Sequence, residues 1–508
     1  MSSSRWLAPL AASAVLLLTT CTRPADPNTV VVLIESSPAN LDPRIGTDAQ
    51  SERLHKLLYD ALLTRDENFQ LHPGLAERWE VPDPLTYIFH LRGGVFFHDS
   101  RPLTSADVRY TLESLAFGRV RSARASTYKL IASVETPEPL TVIIHLREPN
   151  SSLLWNLSDG ALGVVPAGSG DELAQHPIGS GPFRFVSAVQ DREVVLERND
   201  RYWGRKPELQ RVRFMVVPDA TTRALELRKG SADVAINAFP ADTVLALERD
   251  PNLVVEHSPG TIYAYLAMNL RDTILRDVRV RQALAYAIDR TPIIEYLWRG
   301  MARPASSILP QQHWAYNPSA ATYSHDPVRA RQLLDEAGYG PGPDGVRFHL
   351  AMKTSTDEST RLLAAVLQQQ LREVGIALDI RSYEFATFYA DITHGAFQLY
   401  SLRWIGGNED PDMFEGAFDS ASAPPKRFNR GYYSNAEVDR LIADARSTVD
   451  QPRRKADYDR IQEILNQDLP YIHLWYLDNV LVHSRRLTNV KASSSGNYDF
   501  LKTAELGR

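Results

Sequence analysis

The stretch Leu363-Ala364-Ala365-Val366-Leu367-Gln368-Gln369-Gln370-Leu371-Arg372-Glu373-Val374-Gly375-Ile376-Ala377-Leu378-Asp379-Ile380 contains two periodicities in succession. Leu363, Leu367, Leu371 and Val374 recur at helical spacing and make one apolar face. Gly375 follows as a helix C-cap. Ile376, Leu378 and Ile380 then alternate with Ala377 and Asp379, which is the period of a strand. A helix joined to a strand through one glycine is an α/β unit, so the fold class is α/β with interleaved elements.

The same signals recur on both sides of this unit. Val30 to Ile34 is a continuous apolar run, expected of a strand buried on both faces. Tyr87 to Arg92 and Thr141 to Leu146 alternate and predict half-buried strands. Short strands are expected at Val194–Leu196, Val212–Val217 and Asp233–Ile236. Thr104 with Asp107 forms a capping box before Val108, Leu112 and Leu115. Asp277 caps a helix whose apolar side is Val280, Leu284, Ala287 and Ile288. Thr291 before Pro292, and Asp326 before Pro327, each predict an N-cap with proline at the first helical position.

A chain of 508 residues is too long for one core and predicts two or three lobes. Its 44% apolar and 23% charged content is that of a globular protein. Formal net charge is −6, with no basic stripe, a pattern that gives no footprint for nucleic acid. Catalytic signatures are missing: no G-x-S-x-G, no H-E-x-x-H and no Walker loop occurs. The 13 histidines never pair at helical spacing, so no helix-borne zinc site is expected. Gly179-Ser180-Gly181-Pro182 has the look of a phosphate loop, but Pro182 removes an amide donor, and a tight turn is expected.

Cys21 is the only cysteine, and it follows Arg5 and an apolar run from Trp6 to Leu18. A charge, a short apolar run and small residues describe a secretory signal, too short to span a membrane. A cysteine at the cut resembles a bacterial lipoprotein signal, which implies residues 1–20 as signal peptide and a lipid on Cys21. An ordinary signal with a bystander thiol is the other reading. The polar, Pro-rich Thr22–Asn28 reads as a tether.

The densest polar cluster is Asn408-Glu409-Asp410-Pro411-Asp412, after Trp404-Ile405-Gly406-Gly407. Aromatic walls, glycines and a few polar groups suit a ligand loop, with Tyr389 and Arg403 close in sequence; a solvated turn is the plain alternative. Arg403 has the chemistry to grip a carboxylate.

Several segments together carry a resemblance to a known family. They include Ser37-Pro38-Ala39-Asn40-Leu41-Asp42-Pro43, Leu58-Tyr59-Asp60-Ala61-Leu62 and Pro73-Gly74-Leu75-Ala76-Glu77-Arg78-Trp79. Arg198-Asn199-Asp200-Arg201-Tyr202-Trp203 and Met268-Asn269 follow, then Asp277-Val278-Arg279-Val280-Arg281-Gln282-Ala283-Leu284-Ala285-Tyr286-Ala287-Ile288-Asp289-Arg290. Tyr432-Tyr433-Ser434-Asn435 and Gln467-Asp468-Leu469-Pro470-Tyr471 complete the order. From about Val30 to Tyr476 the chain resembles the bacterial solute-binding family 5 of peptide, nickel and related ABC importers.

The resemblance implies a two-lobed periplasmic binding protein fold of type II, with an extra subdomain and a hinge of two crossover strands. It implies a tether and start of lobe I over residues 21–45, an extra subdomain over 46–164 and a continuation of lobe I over 165–262. Lobe II is then expected over 263–476, with a return to lobe I over 477–508. The implied function is substrate binding for an importer, without catalysis or cofactor. The implied partners are a small peptide or peptide-like solute and an ABC permease and ATPase, the protein itself being a monomer. Relatives contact ligand near the positions of Ser36 and Ser37, and Trp404, Asn408 and Asp410 are candidates by position. Lys353 and Arg361 stand where a carboxylate partner is sought. In peptide binders an aspartate of Trp-x-x-Asp holds the ligand amine; here that position is Gly407, which argues against ordinary free-amine peptides. A lipid-anchored sensor, or a hydrolase using the acidic loop, is the alternative class.

Overall fold

The computed structural model describes residues 28–406 and 410–507. Cys21, the signal and tether before Asn28, Gly407 and Asn408 lie outside the described residues.

Eleven strands form one sheet. They are β1 (Thr29–Ile34), β2 (Phe183–Val189), β3 (Glu193–Arg198), β4 (Arg211–Val216), β5 (Val234–Ile236), β6 (Leu253–Met268), β7 (Ala302–Pro304), β8 (Phe348–Ser355), β9 (Ile376–Tyr383), β10 (Leu399–Trp404) and β11 (Tyr471–Ser484). Their order is β9-β8-β10-β6-β11-β5-β1-β4-β3-β2, with β7 also paired to β11.

Every residue of β1 is buried. Val30, Val32 and Ile34 enter one core, and Val31 and Leu33 enter another on the opposite face. Alternation along a strand fed on both faces by apolar side chains produces the continuous run seen in the sequence. β6 does the same in the other lobe. Ala264, Leu266 and Met268 join one core, while Tyr263, Tyr265 and Ala267 join a second.

β6 and β11 make the molecule two-lobed. They run 16 and 14 residues. Leu253–Ser258 pairs with Asn479–Ser484 in the first lobe, and Ile262–Ala267 pairs with Tyr471–Leu477 in the second. Between them the register jumps from Ser258 opposite Asn479 to Ile262 opposite Leu477. The segment Pro259-Gly260-Thr261 takes up the difference as a bulge, a device that bends a strand pair.

A further core belongs to the extra subdomain. It packs a four-stranded antiparallel sheet of Ala76–Asp83, Thr86–Leu91, Thr141–Leu146 and Ile131–Glu138 against the helix Ser105–Ala116. The predicted box is present at that helix, with Asp107 accepting from Thr104 N at 2.8 Å.

The opening unit forms as helix Glu358–Glu373 and strand β9, with Gly375 at φ +84° between them. Asp277 and Asp326 cap the helices Val278–Ala287 and Pro327–Glu336. The cap expected at Thr291 is corrected: Asp289 accepts from Thr291 N at 3.0 Å. A carboxylate two residues upstream is already in place as acceptor, so the helix starts before the threonine. Gly179–Pro182 is a close-approach turn. A Cβ on Gly179 would stand 2.0 Å from the Leu58 carbonyl oxygen, and Gly181 N donates to that oxygen at 3.0 Å.

Candidate functional site

The helix Ala49–Leu58 begins at Asp48, whose carboxylate accepts from Ser51 N at 3.0 Å. Leu54, Leu57 and Leu58 turn into the first lobe's core. Ala49, Glu52, Arg53 and Lys56 recur at spacings of three and four and line a cleft of about 800 Å³. That volume falls in the range of small-molecule sites.

The cleft has three walls. The first is this helix, with Asn237, Asn479, Ser495 and Asn497. Asn479 holds the segment just before Ser495: its Nδ2 donates to Ser493 O at 3.0 Å and Ser494 O at 2.7 Å. The second wall is the subdomain, with Asn150, Ser152, Trp155 and Asp159. The third is the other lobe, with Trp404, Ile405, Gly406, Asp410, Asp412 and Phe428. Thr261 of the bulge and Ile262 beside it form part of the lining, so the hinge borders the cleft.

Charges on the two sides are organised differently. On the first side, Lys56, Arg65 and Arg124 approach Asp159 at 3.7, 3.9 and 3.5 Å. Burial opposes ionisation of Asp159, but these cations outweigh it and hold the carboxyl well below its usual range. Arg124 also pairs with Glu52. On the far side, Asp412 pairs with Arg446 at 2.6 Å and Glu415 pairs with Arg427. Asp410 has no cation within ion-pair distance among the described residues; its Oδ1 accepts from Asp412 N at 3.0 Å. Burial, and then the neighbouring Asp412, push its pKa up to about 6.

The subdomain closes directly on the second lobe. Ser151 N donates to Arg446 O at 3.1 Å, and its hydroxyl to Ala445 O at 3.3 Å. Phe69 stacks on His313 at 5.2 Å and Trp155 on Trp314 at 6.3 Å.

Of the residues expected from the sequence, Trp404 and Asp410 border the cleft. Trp404 packs edge-on against Phe428 at 5.3 Å. Gly407 and Asn408 lie outside the described residues, and the other candidates are placed elsewhere. Ser36 is exposed, and Ser37 Oγ accepts from Asp191 N at 2.8 Å in the β2–β3 turn. Lys353 pairs with Asp391 at 2.6 Å within the second lobe. Arg361 is an exposed helix residue. Tyr389 accepts from Arg430 at 2.7 Å. Arg403 alternates with Trp404 on β10, so its exposed side chain takes the opposite face of the strand. Glu52, Lys56, Trp155 and Asp159 were not anticipated. The charged stripe at 52, 53 and 56, opposite an apolar face, was the available signal.

Beneath the cleft lies a side chamber of about 410 Å³ that shares Lys56, Arg65, Ser495 and Asn497 with it. Its floor holds Asp60, which accepts from Ser180 Oγ at 2.9 Å, Tyr202 OH at 3.1 Å and Trp203 Nε1 at 2.9 Å.

Comparison with known proteins agrees with this architecture. Residues 70–424 match the model of the bacterial extracellular solute-binding proteins, family 5 (middle region). The chain is 31% identical over 497 residues to the glutathione-binding protein GsiB of Pectobacterium atrosepticum, covering 95% of each protein. It is 29% identical over 505 residues to the dipeptide-binding protein of Escherichia coli K12, covering 92% of this chain and 91% of that protein. The solved structure of HbpA2 from Haemophilus parasuis superposes with a TM-score of 0.85 at 27% identity, over 94% of this chain and all of that one. With the family match spanning more than two thirds of the sequence, this chain belongs to the bacterial extracellular solute-binding proteins of family 5.

Proposed function

We propose that this protein captures a peptide-class solute between its lobes and delivers it to the permease and ATPase of an ABC importer. It is a transport binding protein and not an enzyme. The observation that carries the ligand class is the cleft of about 800 Å³ walled by both lobes and the subdomain, with an aromatic floor at Trp404 and charges on both sides. Relatives named for glutathione and dipeptides support the same class. The protein works as a monomer outside the inner membrane, held by lipid on Cys21. Two acyl chains anchor stably where one is marginal. Cys21→Ala then releases it from membranes; full membrane retention with an unmodified mature N-terminus would refute the anchor.

Gly407 stands where the family resemblance places an amine-binding aspartate. The guest is therefore a peptide whose amine is blocked, modified or held otherwise, because an unpaired buried ammonium is costly. Calorimetry tests this with dipeptides, glutathione and their N-acetyl forms. Micromolar or tighter binding of at least one peptide is expected, with thermal stabilisation of the bound form. Gly407→Asp is expected to tighten free-amine dipeptides tenfold or more. Tight binding of free dipeptides by the unaltered protein, lost on acetylation, would overturn the amine reading.

A further inference from the structure

Lys56 occupies the junction of the cleft and the side chamber and borders both. It closes the charged stripe of the helix Ala49–Leu58, and its stem lies over Gly160, where a Cβ would stand 3.1 Å from Lys56 Cγ. That contact sets the direction of the side chain. Its side chain is 19% exposed, so it is half-buried where it borders the two chambers. An ammonium carries three donors. Among the described residues none of the three makes a hydrogen bond, and the nearest carboxylate, Asp159, is 3.7 Å away.

Asp159 cannot satisfy Lys56 further. It also receives Arg65 at 3.9 Å and Arg124 at 3.5 Å, and Ala161 N at 3.0 Å. Glu52 is engaged by Arg124, and Asp499 by Lys502 at 2.7 Å. A donor group whose neighbouring carboxylates are already paired gains most from an acceptor that arrives with the guest.

We infer that Lys56 anchors a carboxylate of the bound solute at the junction of the two chambers. This rests on the peptide-class reading above and names the end of the peptide that reaches the first lobe. The carboxylate is either the peptide C-terminus or an acidic side chain, both of which supply the same pair of acceptor oxygens.

Native mass spectrometry and competition titration against three pools of N-acetyl tripeptides test the inference. One pool has free C-termini, the second has amidated C-termini, and the third is amidated with one glutamate. The unaltered protein is expected to prefer the free-acid or glutamate pool over the neutral amides by at least tenfold. Lys56→Met should erase that preference without lowering the melting temperature, and Lys56→Arg should keep most of it. The pool that wins identifies the source of the carboxylate. Retention of the preference by Lys56→Met, or equal capture of acids and amides by the unaltered protein, would overturn the inference while leaving the peptide reading intact. Capture of no pool at all would overturn the blocked-amine reading and the role of Lys56 with it, and the peptide class itself falls only if free-amine tripeptides are not captured either.

Discussion

Gly260 lies against the carbonyl of Leu477: a Cβ built on the glycine would stand 2.2 Å from that oxygen. The contact sits at the bulge where β6 and β11 pass from one lobe to the other. No side chain fits there without moving backbone, so the sequence Pro259-Gly260 is part of the hinge. Gly260→Ala is expected to cost about 1–3 kcal/mol, the usual penalty of overpacking. Thermal unfolding checks this. An unchanged melting temperature would show that the bulge yields freely.

Trp155 and Trp314 join the subdomain to the second lobe across the cleft. Removing the stack with Trp155→Ala should disfavour the closed form by about 1.5 kcal/mol. A ligand that binds the closed form would then lose about tenfold in affinity. Ligand titration followed by tryptophan fluorescence reads this, and scattering should show a larger radius of gyration at equal ligand. Loss of affinity without expansion would assign Trp155 to ligand contact and not to closure.

Asp410 should make the protein less stable as pH rises through its own titration. Its pKa of about 6 in the fold lies above the ordinary carboxylate value, because burial and Asp412 disfavour the charge. Between about pH 4 and 6 the folded state holds a proton that the unfolded state has lost, so stability falls across that window. Asp410→Asn keeps the acceptor for Asp412 N and removes the charge. It is expected to stabilise at pH 7 relative to pH 4, on the order of 2 kcal/mol. Equal effects of the substitution at the two pH values would refute the shift.

His98 acts with the opposite sign. Its Nδ1 accepts from Gly179 N at 3.2 Å and its Nε2 donates to Gly181 O at 3.1 Å, so the ring must be neutral. Burial lowers its pKa to about 4. The unfolded chain binds the proton first on acidification, so stability is lost as pH falls from about 6.5 to 4. His98→Gln should flatten that slope by up to about 1.4 kcal/mol per pH unit. His55 and His473, depressed to about 4 and about 3, contribute in the same direction. Denaturant titrations at half-unit pH steps check the slope, and an unchanged slope in His98→Gln would show that this ring does not carry the effect.

Legibility in the sequence followed the range of the interaction. The caps at Asp277 and Asp326 and the helix–Gly375–strand unit depend on residues within a few positions, and they form as read. Thr291 failed because a stronger acceptor, Asp289, stood two residues earlier. At the site, Trp404 at the end of β10 and Asp410 six residues later both reach the cleft. Lys353, taken as a candidate for a ligand carboxylate, is instead held by Asp391. That pairing spans 38 residues, and no local pattern announces it.

The order of helices and strands, the doubly buried character of β1 and the absence of a catalytic motif were decided by the sequence alone, since periodicity, caps and residue chemistry are local properties. Tertiary structure alone decided that Lys56 meets Asp159, that Ser151 meets Arg446, and that Asp410, among the described residues, stays without an ion pair across from them. Those residues are brought together by the register of two long hinge strands and by a subdomain closing on a distant lobe. The energy of each contact depends on burial and on competing charges, which exist only once the lobes have packed.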